Sequence, residues 1–148
     1  MPNININVVS QLSPAQYITI QSLLKNTFLN QRAFFTDNPE SNPNTLYLIA
    51  EAENEKTIVG FCSLHFYYRV SGVCTCVIED VAIHPLYRRN GLGTMIIDLA
   101  TQTASQKANK IFLQTEPQNK HFYERCGLKI SDRLTTMSKY IIKDKIGK

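Results

Sequence analysis

Two periods of hydrophobic and polar residues run along this chain, and the switches between them mark its elements. Ile4 to Val9 alternates Asn with Ile or Val, a period of two that predicts an edge strand. Ser13-Pro14-Ala15-Gln16 then combines an N-cap hydroxyl, Pro at the first helical position and Gln at the third. A helix therefore begins there, with Tyr17, Ile20, Leu24 and Phe28 on one face, and stops near Leu29. Residues 30–44 contain Asn38-Pro39 and Asn42-Pro43, which predict a loop or a short irregular helix in which Phe34-Phe35 must still pack. Thr45 to Ala52 and Thr57 to Tyr68 are apolar, β-branched and aromatic, and the polar Glu53-Asn54-Glu55-Lys56 between them makes a hairpin. Ser71-Gly72 turns the chain into Val73 to Ile83, and His84-Pro85 ends that strand because Pro lacks a ladder donor.

From Leu92 the period becomes helical, with Leu92, Met95, Ile96, Leu99, Ala100, Ala104 and Ala108 on one face. Ile111 to Thr115 reads as a short buried strand closed by Pro117. Strand, glycine turn, helix, strand is a βαβ crossover, so the strands ending at Ile83 and beginning at Ile111 should be parallel. Asn119 to Cys126 predicts a short helix stopped by Gly127, and Leu134 to Ile142 a last strand. Hairpins before the crossover and a lone strand after it require a mixed sheet. The fold class is α/β, a single domain over 1–148 with a mostly antiparallel sheet of six or seven strands and about four helices.

Composition changes this picture little. Hydrophobic residues at 43% and charged residues at 19% are the mix of an ordinary globular domain, which excludes disordered and fibrous classes. Of the net charge of +4, most sits in Lys139 to Lys148, which holds four Lys and one Asp. Such a tail does not make a nucleic-acid protein. No apolar run approaches a membrane span, and Met1 to Asn5 lacks the basic start of a secretory signal, so the expected compartment is cytoplasmic. Cys62, Cys74, Cys76 and Cys126 form no Cys-x-x-Cys pair and His65, His84 and His121 are scattered, so the thiols read as buried packing groups and no metal is expected.

The strongest local signal is Tyr87-Arg88-Arg89-Asn90-Gly91-Leu92-Gly93-Thr94, between a strand end and a helix start. Two glycines let the backbone approach a ligand closely, so several N–H groups can point at one anion while the helix dipole adds positive potential. Arg88 and Arg89 supply the remaining charge of a pyrophosphate cradle. The absence of a following Gly-Lys-Ser/Thr argues against a triphosphate. With Ile78-Glu79-Asp80-Val81-Ala82-Ile83-His84-Pro85 before it, and Asn119 and Phe122-Tyr123-Glu124-Arg125-Cys126-Gly127-Leu128 after it, the loop resembles the GCN5-related N-acetyltransferase superfamily. Within that superfamily the blocks are most similar to those of glucosamine-6-phosphate N-acetyltransferases. The acidic stretch those enzymes carry after the fifth strand appears here as Gln114-Thr115-Glu116-Pro117, with one carboxylate.

The resemblance implies a V-shaped cleft between the fourth and fifth strands holding acetyl-CoA as co-substrate. Its cofactor contacts would fall on Val81, Ala82 and Ile83, on Arg88, Arg89, Asn90, Gly91, Leu92, Gly93 and Thr94, and on Asn119 and Tyr123. The implied activity is N-acetyl transfer to a small-molecule primary amine, an amino-sugar phosphate or another amine, without a covalent acyl-enzyme. A homodimer is implied too. Chemically, the ammonium must lose a proton, the oxyanion needs a donor and the thiolate needs stabilisation. The Val81 or Ala82 N–H is the candidate oxyanion donor if a bulge aims it at the cleft. Glu79 is the candidate base, and Tyr123 the candidate general acid for the departing thiolate. Glu79, Asp80 and Glu116 are the candidate readers of the acceptor, and Arg32, Asp37, Tyr67, Tyr68 and Arg69 are further candidates for its pocket. Glu79 and Asp80 are adjacent, so on a regular strand they face opposite ways. The alternatives are a CoA-binding module without turnover, a protein or peptide N-acetyltransferase, and an anion-binding interaction domain.

Overall fold

A computed structural model describes residues 3–28 and 42–141. Five strands form one sheet in the order β1-β2-β3-β4-β5: β1 (Ile4–Val9), β2 (Thr45–Ala52), β3 (Thr57–Tyr68), β4 (Cys74–Ile83) and β5 (Lys110–Phe112). The first four are antiparallel neighbours, and β5 lies parallel to β4. The sheet is therefore mixed, with β1 at one edge as its alternation predicts.

Three α-helices connect and cover it: α1 (Pro14–Thr27), α2 (Leu92–Ala104) and α3 (Lys120–Arg125). At the start of α1, Ser13 and Gln16 form the reciprocal capping box foreseen in the sequence, with Oγ and Oε1 each accepting the other's backbone N–H at 3.1 and 2.9 Å. The two faces of the sheet carry separate cores. On one, Leu48, Cys62, Leu64, Cys76 and Ile78 meet Leu92, Ile96, Ile97, Ala100 and Ala104 of α2. On the other, Ile49, Phe61 and Ala82 meet Ile20 and Leu23 of α1. Burial of Ile96 and Ile97 is complete, so truncating either to Ala should cost about 2–5 kcal/mol. The α2 face departs from its expected set at one position: Met95 is half-exposed and Ile97 takes the buried place.

Two other expectations are corrected. β5 is three residues long rather than spanning Ile111 to Thr115, and none of residues 134–141 is in a strand. Leu134, Met137, Tyr140 and Ile141 are exposed, so strand propensity there finds no ladder partner among the described residues. The described residues thus hold five strands and three α-helices, against the expected six or seven and four. Phe34, Phe35, Arg32 and Asp37 lie outside the described residues.

Candidate active site

A cleft opens where two parallel strands part. β4 and β5 pair only through Thr75–Lys110, Cys76–Ile111 and Val77–Phe112. Beyond that, Ile78–Val81 and Leu113–Glu116 become opposite walls of a cleft of about 1210 Å³. The β4 edge there has no β5 partner, so its backbone can complete a ladder with an extended ligand chain.

β4 is interrupted at the centre of this wall. Glu79 faces Ser63 and Ala82 faces Phe61 across the β3–β4 ladder, so Asp80 and Val81 together oppose Cys62. That is a β-bulge, and Asp80 takes a φ of 56°, a left-handed conformation that Asp tolerates better than most residues. The bulge reverses the phase of alternation: Ala82 turns into the α1-side core, on the same face as Glu79. The regular-strand expectation for Glu79 and Asp80 therefore does not apply, and Asp80 shares a cluster with Glu79, His65 and Ser63. Its pKa is raised, first by desolvation among the surrounding protein atoms and then by the Glu79 charge, against the opposing pull of His65 and the Ser63 hydroxyl.

The anion cradle follows. Pro85–Tyr87 makes one 3₁₀ turn, Arg89 adopts a φ of 64° and Gly91 a φ of 82°. Gly91 is the N-cap of α2 and offers no side chain to its first turn. The first helical bond is Met95 N–H to Gly91 O at 3.1 Å, so the N–H groups of Leu92, Gly93 and Thr94 have no acceptor inside the helix. A Cβ at Gly91 would meet nothing within 4 Å, so the cradle is open space. At Gly93 a Cβ would lie 3.1 Å from Phe122 Cζ; glycine there lets α3 pack against the start of α2. Arg88 Nε donates to Ile83 O at 3.0 Å, which fixes its guanidinium at the cleft.

Of the sequence-predicted residues, Glu79, Asp80, Val81, Ile83, Arg88, Arg89, Gly91, Gly93, Thr94, Glu116, Asn119 and Tyr123 all line this cleft. Ala82 and Leu92 bury their side chains in the two cores, which leaves them only backbone to offer. Asn90 does not line the cleft, and of the acceptor candidates Tyr67 does while Tyr68 and Arg69 do not. Asn119 stands at the N-cap of α3 but makes no capping bond, so its amide is not consumed by its own helix. Glu116 Oε2 accepts from Gln118 Nε2.

Tyr123 is partly buried, with its ring edge-to-face against Phe122 at 4.9 Å. Burial, with smaller contributions from Cys62 and Cys126, pushes its phenol up to about 12. It is therefore a hydrogen-bond donor across the whole assay range. Handing its proton fully to a thiolate, whose ordinary pKa is about 8.5, would be uphill. The thiols of Cys62 and Cys126 are also raised, chiefly by desolvation, which is the opposite of nucleophile activation.

Sequence reasoning missed three residues behind the wall: Thr45, Ser63 and His65. His65 Nε2 lies 3.5 Å from Glu79 Oε2. The available signal was Ser63-x-His65, a polar pair at strand spacing inside an otherwise apolar run.

Comparison with known proteins agrees with this geometry. Residues 15–128 match the profile of the acetyltransferase (GNAT) family. A glucosamine 6-phosphate N-acetyltransferase of Schizosaccharomyces pombe is 31% identical over 90 residues, 57% of this chain and 80% of that protein. The crystal structure of glucosamine-6-phosphate N-acetyltransferase from Arabidopsis thaliana superposes with a TM-score of 0.74 at 22% identity, covering 95% of this chain and 99% of that one. An aminoglycoside acetyltransferase from an uncultured soil metagenomic sample, crystallised with trehalose, reaches 0.77 at 19% identity, covering 95% and 97%. At those identities the two structures show a shared fold.

Proposed function

The chain belongs to the acetyltransferase (GNAT) family, and on that premise we propose that it transfers acetyl from acetyl-CoA to the primary amine of a small molecule by direct attack. The observation that carries this reading is the uncapped α2 N-terminus, flanked by Arg88 and Arg89, opening into the same cleft as Glu79 and Tyr123. The fit to the co-substrate rests on that cradle: three unsatisfied N–H groups, a Gly91 that leaves the approach clear, and two guanidinium groups suit a pyrophosphate. The unpaired β4 edge suits the amide-bearing arm that follows. Acetyl-CoA supplies the thioester.

The chain's own residues do the rest. Glu79 accepts the ammonium proton, directly or through water, and frees the amine to attack. A backbone N–H at the bulge, from Val81 or Ala82, donates to the developing oxyanion. Tyr123 donates a hydrogen bond to the departing thiolate and keeps its proton, because its pKa of about 12 lies above that of a thiol. Raised thiol pKa values favour this direct route over an acyl-cysteine.

For the acceptor we propose an amino-sugar phosphate first, on the strength of the Schizosaccharomyces pombe relative. The exposed apolar residues Leu134, Met137, Tyr140 and Ile141 support a homodimer in which a second copy covers them. The test is thiol release from acetyl-CoA with glucosamine 6-phosphate, unphosphorylated amino sugars, aminoglycosides, polyamines, amino acids and peptide N-termini. Release with at least one small amine is expected. Release only with peptides would overturn the small-molecule reading, and tight CoA binding without release from any amine would overturn catalysis.

A further inference from the structure

The described core holds three buried polar side chains, Thr45, Ser63 and Thr75, and two of them converge on one imidazole. Thr45 Oγ1 lies 3.1 Å from His65 Nδ1, and Ser63 Oγ lies 2.9 Å from His65 Nε2. A buried hydroxyl is costly unless it is bonded, so a strand pair that spends two of them on one ring is making a specific arrangement. The ladder explains the alignment: Thr45 stands opposite His65, and Ser63 opposite Glu79. All four side chains therefore share one face of the sheet.

Counting protons assigns the tautomer. The Ser63 hydroxyl has one hydrogen, and its 3.2 Å contact with the Glu79 carbonyl oxygen can only be a donation. The Asp80 carboxylate, the other group that Ser63 serves, also only accepts when ionised. In either case Ser63 has no hydrogen left for the ring, so in the neutral imidazole His65 Nε2 carries the hydrogen and Nδ1 accepts from Thr45. That Nε2–H is donated to Ser63 Oγ at 2.9 Å, with Glu79 Oε2 beside it as a second, longer-range acceptor at 3.5 Å.

We propose that His65 is a positioning residue for Glu79: its Nε2–H, fixed in that tautomer by Ser63, is shared between Ser63 Oγ at 2.9 Å and the Glu79 carboxylate at 3.5 Å, and so orients that carboxylate at the acceptor side of the cleft. This rests on the acetyl-transfer reading, in which Glu79 takes the amine's proton. An untethered Glu at a half-exposed strand position would sample several rotamers, few of them in reach of the acceptor.

The test joins ring ¹⁵N chemical shifts to kinetics in the intact protein. The wild-type His65 ring is expected to show the Nε2–H tautomer, and Ser63→Ala to yield a mixture. Glu79→Gln should move the Nε2 shift. His65→Leu should lower kcat by about 10- to 100-fold, the size of loss that a misplaced catalytic group produces, with the acetyl-CoA KM unchanged. His65→Gln, which keeps a side-chain N–H, should recover most of it. A wild-type ring protonated on Nδ1 alone, or equal kcat losses in the Leu and Gln variants, would overturn the proposal and leave acetyl transfer standing. Failure of the transfer reading is recognised separately, because wild-type protein then releases no thiol with any amine, and the proposal falls with it.

Discussion

The two halves of the cleft are built by different means. The half assigned to the cofactor is made of backbone from one continuous stretch, the end of β4, the 3₁₀ turn and the start of α2. Its chemistry is that of unpaired N–H groups, and its side-chain requirements are mainly that Gly91 stay out of the way and that Arg88 be present. The half assigned to the acceptor is made of side chains from separate strands: Thr45 on β2, Ser63 and His65 on β3, Glu79 and Asp80 on β4. Backbone cradles tolerate change in their neighbours, whereas a side-chain constellation depends on register. One bulge at Asp80 decides how the acceptor half is arranged.

Tyr123, where the halves meet, should give the largest effect. Tyr123→Phe retains ring packing and loses one donor, so kcat should fall by about 10²–10³ with CoA affinity held, as read by steady-state kinetics beside calorimetry. A wild-type rate with chemistry shown to be limiting would reduce Tyr123 to a packing residue.

Next are substitutions confined to one half. Arg88→Ala should weaken CoA binding by about 1–3 kcal/mol through lost charge-assisted hydrogen bonds. Gly91→Val should add a Cβ in the open approach at a left-handed backbone position and weaken it further. Calorimetry on folded variants measures both; wild-type affinity in each would remove the cradle assignment. In the acceptor half, Glu79→Gln should leave CoA affinity intact and suppress kcat/KM by about 10- to 100-fold at neutral pH. Activity should recover as pH rises and free amine appears without a base. An unchanged pH–rate profile would move the base elsewhere, with Glu116 next.

The smallest effect is on stability. The folded state raises the pKa of Asp80 above its ordinary 3.8, so it holds that proton more tightly than the unfolded chain does. The carboxyl therefore contributes stability below its unfolded pKa, and that contribution is lost as pH rises through the folded value. Asp80→Asn, which also tolerates positive φ, should melt higher than wild type at pH 7, with the difference vanishing near pH 3. A lower melting temperature at pH 7 would mean that His65 and Ser63 stabilise the charge more than desolvation penalises it.

The sequence by itself determined most of the elements and marked the candidate anion cradle. The capping box at Ser13, the Glu53–Lys56 hairpin, the end of β4 at His84-Pro85 and the glycine entry to α2 are local signals, each set by residues within a few positions of one another. That is why Arg88, Gly91 and Gly93 could be named as a candidate anion cradle from local sequence, whereas Asn119 and Tyr123 became candidates only through the resemblance to a family. Tertiary structure decided the rest. β5 stops at Phe112, and residues 134–141 join no strand among the described residues, because a strand needs a partner that propensity cannot supply. Ile97 rather than Met95 is buried because the sheet's shape, not the helical period alone, sets which α2 residues are covered. Nothing in Glu79-Asp80 announces a bulge, which exists only as a mismatch in register between β3 and β4. His65 reaches Glu79 because thirteen residues of intervening hairpin bring them face to face across a ladder, a distance in space that no spacing in the chain encodes.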